Sequence, residues 1–228
     1  MPVEQANMTK LTLREDTPTY HCPKVPAPPA VDGNPDDPAW QIGPPVRLVL
    51  TQTGDPASKE TIVRMCWDDG YLYISYACED QDVWSTYTER DDPIFNEEVC
   101  EAFLCPHGDL SNYFEINVSP RNVVFDSTIF IPGHPTGRSD AGWNCEGLRT
   151  AVRVDGTLDC RTDIDRAWYA QMAIPFVAVG RATPQPGEQW RANFYRIERT
   201  PLEFQAWSPT YVDPPSFHVP ARFGTIVF

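Results

Sequence analysis

The segment from Thr61 to Glu79, TIVRMCWDDGYLYISYACE, constrains this chain more than any other stretch of it. Two runs of β-branched, aromatic and aliphatic residues flank Asp69-Gly70, a pair suited to the positive φ angles of a tight hairpin turn. Alternation puts Val63, Met65 and Trp67 on one face of the first arm and Leu72, Ile74 and Tyr76 on one face of the second. An apolar sheet face of that width must be covered, and the rest of the chain offers mainly more strands to cover it.

Eight further runs read as strands: Val99 to Cys105, Tyr113 to Ser119, Val123 to Ile131, Arg149 to Val154, Trp168 to Ile174, Trp190 to Arg199, Phe204 to Ser208 and Phe223 to Phe228. Each is short, rich in β-formers and bounded by Gly, Pro, Asn or Asp. Only Phe176 to Arg181 offers a helical turn. About ten strands with little helix predict an all-β fold, a two-sheet antiparallel sandwich of jelly-roll type. With 228 residues, 41% of them apolar, the chain can fill one such core. Residues 29–228 are therefore expected to form a single domain. Residues 1–28, stiffened by Pro18, Pro23, Pro26 and Pro28, are expected to form an arm that packs on it.

A net charge of −14 repels phosphate backbones and anionic membrane surfaces, which excludes nucleic acid and membranes as expected partners and leaves neutral sugars or cations. No run of about 18 apolar residues is present, and Met1 to Arg14 lacks the form of a secretory signal. A cytoplasmic location is the expectation, or a secreted one if a signal preceded Met1. Seven cysteines without C-x-x-C spacing fit reduced, buried thiols better than a disulfide framework or a zinc knuckle.

Three long irregular stretches, Asp80 to Asn96, Pro132 to Gly147 and Thr210 to Pro220, exceed the usual loop length of ~4–6 residues, and a site is expected where at least two of them meet at one edge or face of the sandwich. A pyranose presents an apolar face of C–H groups and a rim of hydroxyls, so its site needs flat aromatic plates with fixed hydrogen-bonding groups. DDPIFNEEVCEAF supplies Phe95, Glu98 and Glu101; NYFEINVS puts Tyr113, Glu115 and Asn117 on one face; AWSPTYVDPPSFHVPARFG delivers Trp207, Tyr211, Phe217 and His218. Arg196, alternating with Phe194 and Ala192, requires a carboxylate or carbonyl partner if buried, and Glu101 is a candidate counter-ion. Of the histidines His21, His107, His134 and His218, only the last sits among these residues.

With these positions on the page, a family resemblance emerges. VDGNPDDPAW, WDDGYLYISY, EEVCEAF, YFEINVSP, AIPF, PGEQWRANFYR and FHVPARFGTIVF, in that order, resemble the family 9 carbohydrate-binding modules from about Pro29 to Phe228. The resemblance implies a lectin-like β-sandwich that clamps a terminal sugar between two aromatic rings, and structural calcium. By motif position Phe95 and Phe217 fall where those modules place two tryptophans, and Glu101 and Asn117 match polar sugar contacts. Two departures stand out: both plates are Phe, and Glu115 replaces a basic contact.

The expected function is accordingly the binding of a neutral mono- or oligosaccharide by Phe95, Glu98, Glu101, Glu115, Asn117, Arg196, Trp207, Phe217 and His218, with no certain cofactor. Calcium ligands could come from Asp32, Asp36 and Asp37 or from Asp80 and Asp82, all of them equally ordinary turn formers. The alternative is a sugar-active enzyme, hydrolase- or lyase-like, that uses Glu101 and Glu115 with Arg196 and His218. A third class, haem held by Met65 or Met172, competes with simple core packing of both methionines.

Overall fold

The computed structural model describes residues 14–131 and 138–228. His134, the beginning of the Pro132 to Gly147 stretch and the first thirteen residues of the arm lie outside the described residues.

The described chain is all β, with no α-helix and four short 3-10 turns. The strands are β1 (Thr19–His21), β2 (Val46–Arg47), β3 (Val49–Leu50), β4 (Thr61–Trp67), β5 (Tyr71–Glu79), β6 (Val99–Cys105), β7 (Asn112–Val118), β8 (Val124–Phe130), β9 (Arg138–Asp140), β10 (Arg149–Asp155), β11 (Ala167–Pro175), β12 (Gln189–Arg199), β13 (Leu202–Ala206) and β14 (Gly224–Val227). They form two sheets. One has five strands in the order β10-β11-β5-β4-β2; the other has nine, along the path β1-β14-β12-β6-β7-β8-β9, with β13 joining β12 to β3.

The expected hairpin is β4 and β5, in register as Trp67↔Leu72, Met65↔Ile74 and Val63↔Tyr76. Its turn works differently from the expectation, because neither Asp69 nor Gly70 has positive φ. Instead the Asp68 carboxylate accepts hydrogen bonds from the backbone N–H of Gly70 and of Tyr71, both at 2.8 Å, an Asx turn that closes the loop without left-handed residues.

The six alternating hairpin residues enter the core between the sheets, together with Trp168, Met172, Ala102, Leu104, Ile116, Trp190 and Phe194. Met65 and Met172 are both completely buried there, which accounts for them as packing residues. All seven cysteines are free thiols, six of them buried. No helix of the described residues is long and apolar enough to cross a membrane.

One pairing departs from the expected antiparallel arrangement. β1 lies parallel to β14, with Thr19 opposite Thr225 and His21 opposite Val227. Parallel neighbours need a long crossover, and here almost the whole domain lies between the two strands. Tyr20 fixes this edge strand: its ring is buried and its hydroxyl lies 3.0 Å from both the N–H and the carbonyl of Met65.

The long strand β12 organises the larger sheet. Its N-terminal half pairs with β14 and its C-terminal half with β13 along one edge, while β6 occupies the other edge. Period-two alternation then sends Phe194 and Arg196 into the space between the sheets, and Tyr195 and Ile197 to the sheet's outer face. That outer face is apolar as well. Val99, Phe103, Tyr113, Phe125, Ile129 and Phe223 form a second cluster, covered by the loops that precede β6 and β14.

Candidate functional site

The register of the nine-stranded sheet decides which polar side chains meet on its outer face. Glu101 of β6 is opposite Asn117 of β7, which is opposite Phe125 of β8; the next outward row is Phe103, Glu115 and Ser127. Glu101 and Glu115 are thus diagonal neighbours on one floor. Both are nearly inaccessible, at 2% and 5% exposure.

Two loops wall this floor. The first ends in the turn Ile94–Asn96, which presents Phe95. It is closed by the Glu97 carboxylate, which accepts the backbone N–H of Thr86 at 2.7 Å. Arg199 clamps it from β12, donating to the carbonyls of Phe95 at 2.9 Å and Glu97 at 3.2 Å. The second wall is Pro215 to His218. Its Phe217 ring stacks on Tyr195, with centroids 4.1 Å apart and planes at 16°, and the Tyr195 hydroxyl donates to the Phe217 carbonyl at 2.9 Å. His218 packs on Phe103 at 5.1 Å, and its Nδ1 lies 2.8 Å from the Tyr113 hydroxyl, which leaves Nε2 for any ligand.

Between the walls lies a cleft of about 340 Å³, lined by Phe95, Glu101, Glu115, Phe125, Ile129, Ser139, Ile197, Phe204, Pro215, Ser216, Phe217 and His218. Its size falls in the range of small-molecule sites. A second depression of about 330 Å³ lies on the outer face of the five-stranded sheet. It carries one aromatic ring, Tyr169, and its Arg166 is already paired with Asp155. The cleft is the better candidate.

Five of the nine candidate residues therefore line one cavity: Phe95, Glu101, Glu115, Phe217 and His218. Asn117 lies just beneath, fully buried, with its Nδ2 donating to Glu115 Oε1 at 2.8 Å and its Oδ1 without a partner among the described residues. The two phenyl plates differ. Phe95 is 37% exposed and meets Phe125 edge-on at 5.2 Å, whereas Phe217 is 7% exposed with one face taken by Tyr195.

Three candidates are elsewhere. Arg196 and Glu98 are on the inner side of the sheet and completely buried, because each is offset by an odd number of residues from the outward positions Tyr195 and Glu101. The Arg196 counter-ions are thus not Glu101. Arg196 donates to Asp80 at 2.9 Å and to Glu198, lies 3.7 Å from Glu98, and also donates to the Glu79 carbonyl at 2.8 Å. Trp207 packs on Phe194 in the inter-sheet core, against Gly224, where a Cβ would meet its ring at 2.5 Å.

Most of the acidic residues offered for calcium are engaged by the chain itself. Among the described residues one grouping brings three acidic ligands together, Asp80, Glu98 and Glu198, and the Arg196 guanidinium already serves as its cation. Asp32 and Asp37 spend their carboxylates on the backbone N–H groups of Asn34, Ala39 and Ala30, and Asp82 pairs with Arg161.

Sequence reasoning missed Phe125, Ile129, Phe204 and the positioning residue Arg199. Phe125 was recoverable, since it occupies an outward position in the strand paired with Asn117. Arg199 was not, because its role depends on carbonyls a hundred residues away.

With the site described, its relatives can be compared. Residues 56–228 match the family model described as carbohydrate-binding family 9. The chain belongs to carbohydrate-binding family 9. An extracellular protein from Arthroderma benhamiae is 28% identical over 180 residues, spanning 74% of this chain and 78% of that protein. Solved structures share the family 9 fold at lower identity. A candidate carbohydrate-binding protein from Bacteroides uniformis superposes with a TM-score of 0.73 at 19% identity, covering 92% of this chain and 99% of that one. A family 9 module from Caldicellulosiruptor kristjanssonii, solved with cellotriose, gives 0.61 at 14% identity over 92% of each chain. A family 9 module from the same organism, solved with glucose, gives 0.60 at 15% identity, over 92% of this chain and 94% of that one.

Burial sets the electrostatics of the floor. It pushes Glu101 well above the usual carboxylate range, with the Glu115 charge adding to the effect and Arg199 opposing it. Burial likewise raises Glu115 to about 7, against the Asn117 hydrogen bond. His218 is lowered by desolvation against its aromatic neighbours. A stability consequence follows for Glu115. Between its ordinary value of 4.5 and about 7 the folded state holds a proton that the unfolded chain has lost, so this residue's contribution to stability is lost as pH rises across that window. Glu115→Gln is expected to melt at the wild-type temperature near the bottom of the window and a few degrees higher above it, as read by thermal unfolding at several pH values. A pH-independent offset would show that Glu115 is solvated.

Proposed function

We propose that the cleft holds one unit of a mono- or oligosaccharide and releases it unchanged. Phe95 and the open face of Phe217 take the C–H faces of the ring, while Glu101, Glu115 and His218 Nε2 hydrogen-bond its hydroxyls and Asn117 orients Glu115 from below. What carries this reading is the convergence of Phe95, Glu101, Glu115, Phe217 and His218 on a single cavity of about 340 Å³, although they come from three separate stretches of chain. Membership of a carbohydrate-binding family supports it, as do the cellotriose and glucose bound by Caldicellulosiruptor modules of the same fold.

Isothermal titration of the chain with a panel of mono- and oligosaccharides is expected to give saturable binding between micromolar and millimolar, the range of a small, half-open site. A flat response to every sugar would overturn the proposal.

One observation favours a second reading. Two neighbouring buried carboxyls with raised proton affinity are what a general acid for glycoside cleavage requires. The arrangement lacks the Arg196 contribution first expected of it, since that residue is on the other side of the sheet. Release of the aryl group from a panel of aryl glycosides, lost in Glu101→Gln, would establish turnover; its absence leaves binding alone.

A further inference from the structure

The molecule contains two buried acidic groups of opposite character. Between the sheets, Asp80, Glu98 and Glu198 surround a cation of the chain's own, Arg196. On the floor of the cleft, Glu101 and Glu115 are almost as deeply buried, yet neither forms an ion pair among the described residues. Among the described residues the Glu101 carboxylate accepts no hydrogen bond, and the Glu115 carboxylate receives one, from Asn117.

The surrounding groups do not supply the missing charge. On β7, Tyr113 is a phenol whose hydroxyl is engaged with His218, and on β12 the Tyr195 hydroxyl is spent on the Phe217 carbonyl. On β8, Asp126 points to the opposite face, where Arg90 holds it through both carboxylate oxygens. Arg199 is the cation whose charge reaches Glu101. Its guanidinium donates to the Phe95 and Glu97 carbonyls at the rim and forms no ion pair with either floor carboxylate. Glu97 is occupied with Thr86. His218 is the one basic group on the lining, and its aromatic surroundings favour the neutral ring.

Resting on the sugar-binding reading above, we propose that this cleft selects a pyranose bearing a protonated amine, with Glu101 and Glu115 receiving the ammonium while Phe95 and Phe217 take the sugar's C–H faces. A buried carboxylate without a cation is costly, and one that meets a ligand cation in a desolvated cleft forms a charge-assisted hydrogen bond about twice as strong as a neutral one. The same floor repels uronic acids. The net charge of −14 acts in the same direction at longer range, drawing cationic ligands toward the protein and slowing anionic ones. The raised proton affinity of the pair adds a signature: an ammonium stabilises the ionised carboxylates, so its binding expels a proton that a neutral sugar leaves in place.

The test is calorimetry of the full chain near neutral pH with glucosamine, glucose, N-acetylglucosamine and cyclohexylamine, each in phosphate and in HEPES. Glucosamine is expected to bind about tenfold tighter than glucose or N-acetylglucosamine. Its apparent heat should differ between the two buffers by the heat of capturing the released proton, while the glucose heat should not. Glu115→Gln is expected to weaken glucosamine binding more than glucose binding and to shrink the buffer dependence. The proton release is read on the wild-type protein and so stands even if that variant folds poorly. Equal affinities for glucosamine and glucose would overturn the amine selectivity and leave sugar binding intact. Cyclohexylamine binding as tightly as glucosamine would overturn it by showing a bare cation site. Silence with every sugar would overturn both this inference and the reading beneath it.

Discussion

Arg196→Met is expected to cost about 3–5 kcal/mol of stability and to lower the melting temperature by roughly 10 °C, because it strands Asp80, Glu98 and Glu198 in the sandwich interior without a cation. The aliphatic replacement fills much of the same volume, so the loss reports charge and not a cavity. Its pH dependence distinguishes it from ordinary core damage. Even with the arginine present, burial pushes Glu98 well above the usual range and Glu198 to about 7, with Arg196 holding both down. Without that restraint the carboxyls take up protons more readily, so the deficit of the variant should be smallest in mild acid and grow as pH rises. Urea unfolding at pH values on either side of 7 measures it. An equal loss at both would mean that the three carboxylates are not the cause.

Phe95→Ala and Phe217→Ala should separate binding from folding. Phe95 is substantially exposed and meets one ring edge-on, so its loss is expected to weaken sugar affinity by roughly 10–100-fold while leaving the melting temperature within a degree or two. Phe217 is stacked flat on Tyr195 and contacts Phe204, so its removal also opens the outer cluster, at a cost of about 3–5 kcal/mol. Parallel titration and thermal melts of the two variants check this. Unchanged affinity in both would remove the aromatic plates from the site.

The two arginine and phenylalanine cases also show what could be read from the residues alone. Alternation was legible: the hairpin faces, the eight main strands and the outward placement of Glu115 and Asn117 all follow from period two. Segments of two or three residues such as β2, β3 and β9 carry too little pattern to be recognised, and β1 is a strand only because β14 accepts it. Arg196 and Glu98 show a subtler limit. The parity that puts Arg196 beside Phe194 was visible, yet a charged residue on an apolar face reads as functional until its partners are known. Those partners, Asp80 and Glu198, come from a loop and a strand end, and only the folded topology brings them together. Trp207 was misjudged for a related reason. A tryptophan in a proline-rich stretch looks like a ligand platform, but Gly224 clears the space that lets it turn inward.

The outward row Glu101, Asn117 and Phe125 is fixed by strand pairing, whereas Phe95 and the Pro215 to His218 segment are carried on loops. Slipping β6 or β7 by one residue would carry a carboxylate into the interior, so the base of the recognition surface cannot drift without loss of the fold. The rim is under no such constraint. A library randomised at 95–96 and 215–216, which leaves the buried Ile94 and Phe217 in place, should therefore yield folded proteins with altered ligand preference far more often than one randomised at 101, 115 and 117, which makes this scaffold a natural starting point for reprogrammed recognition.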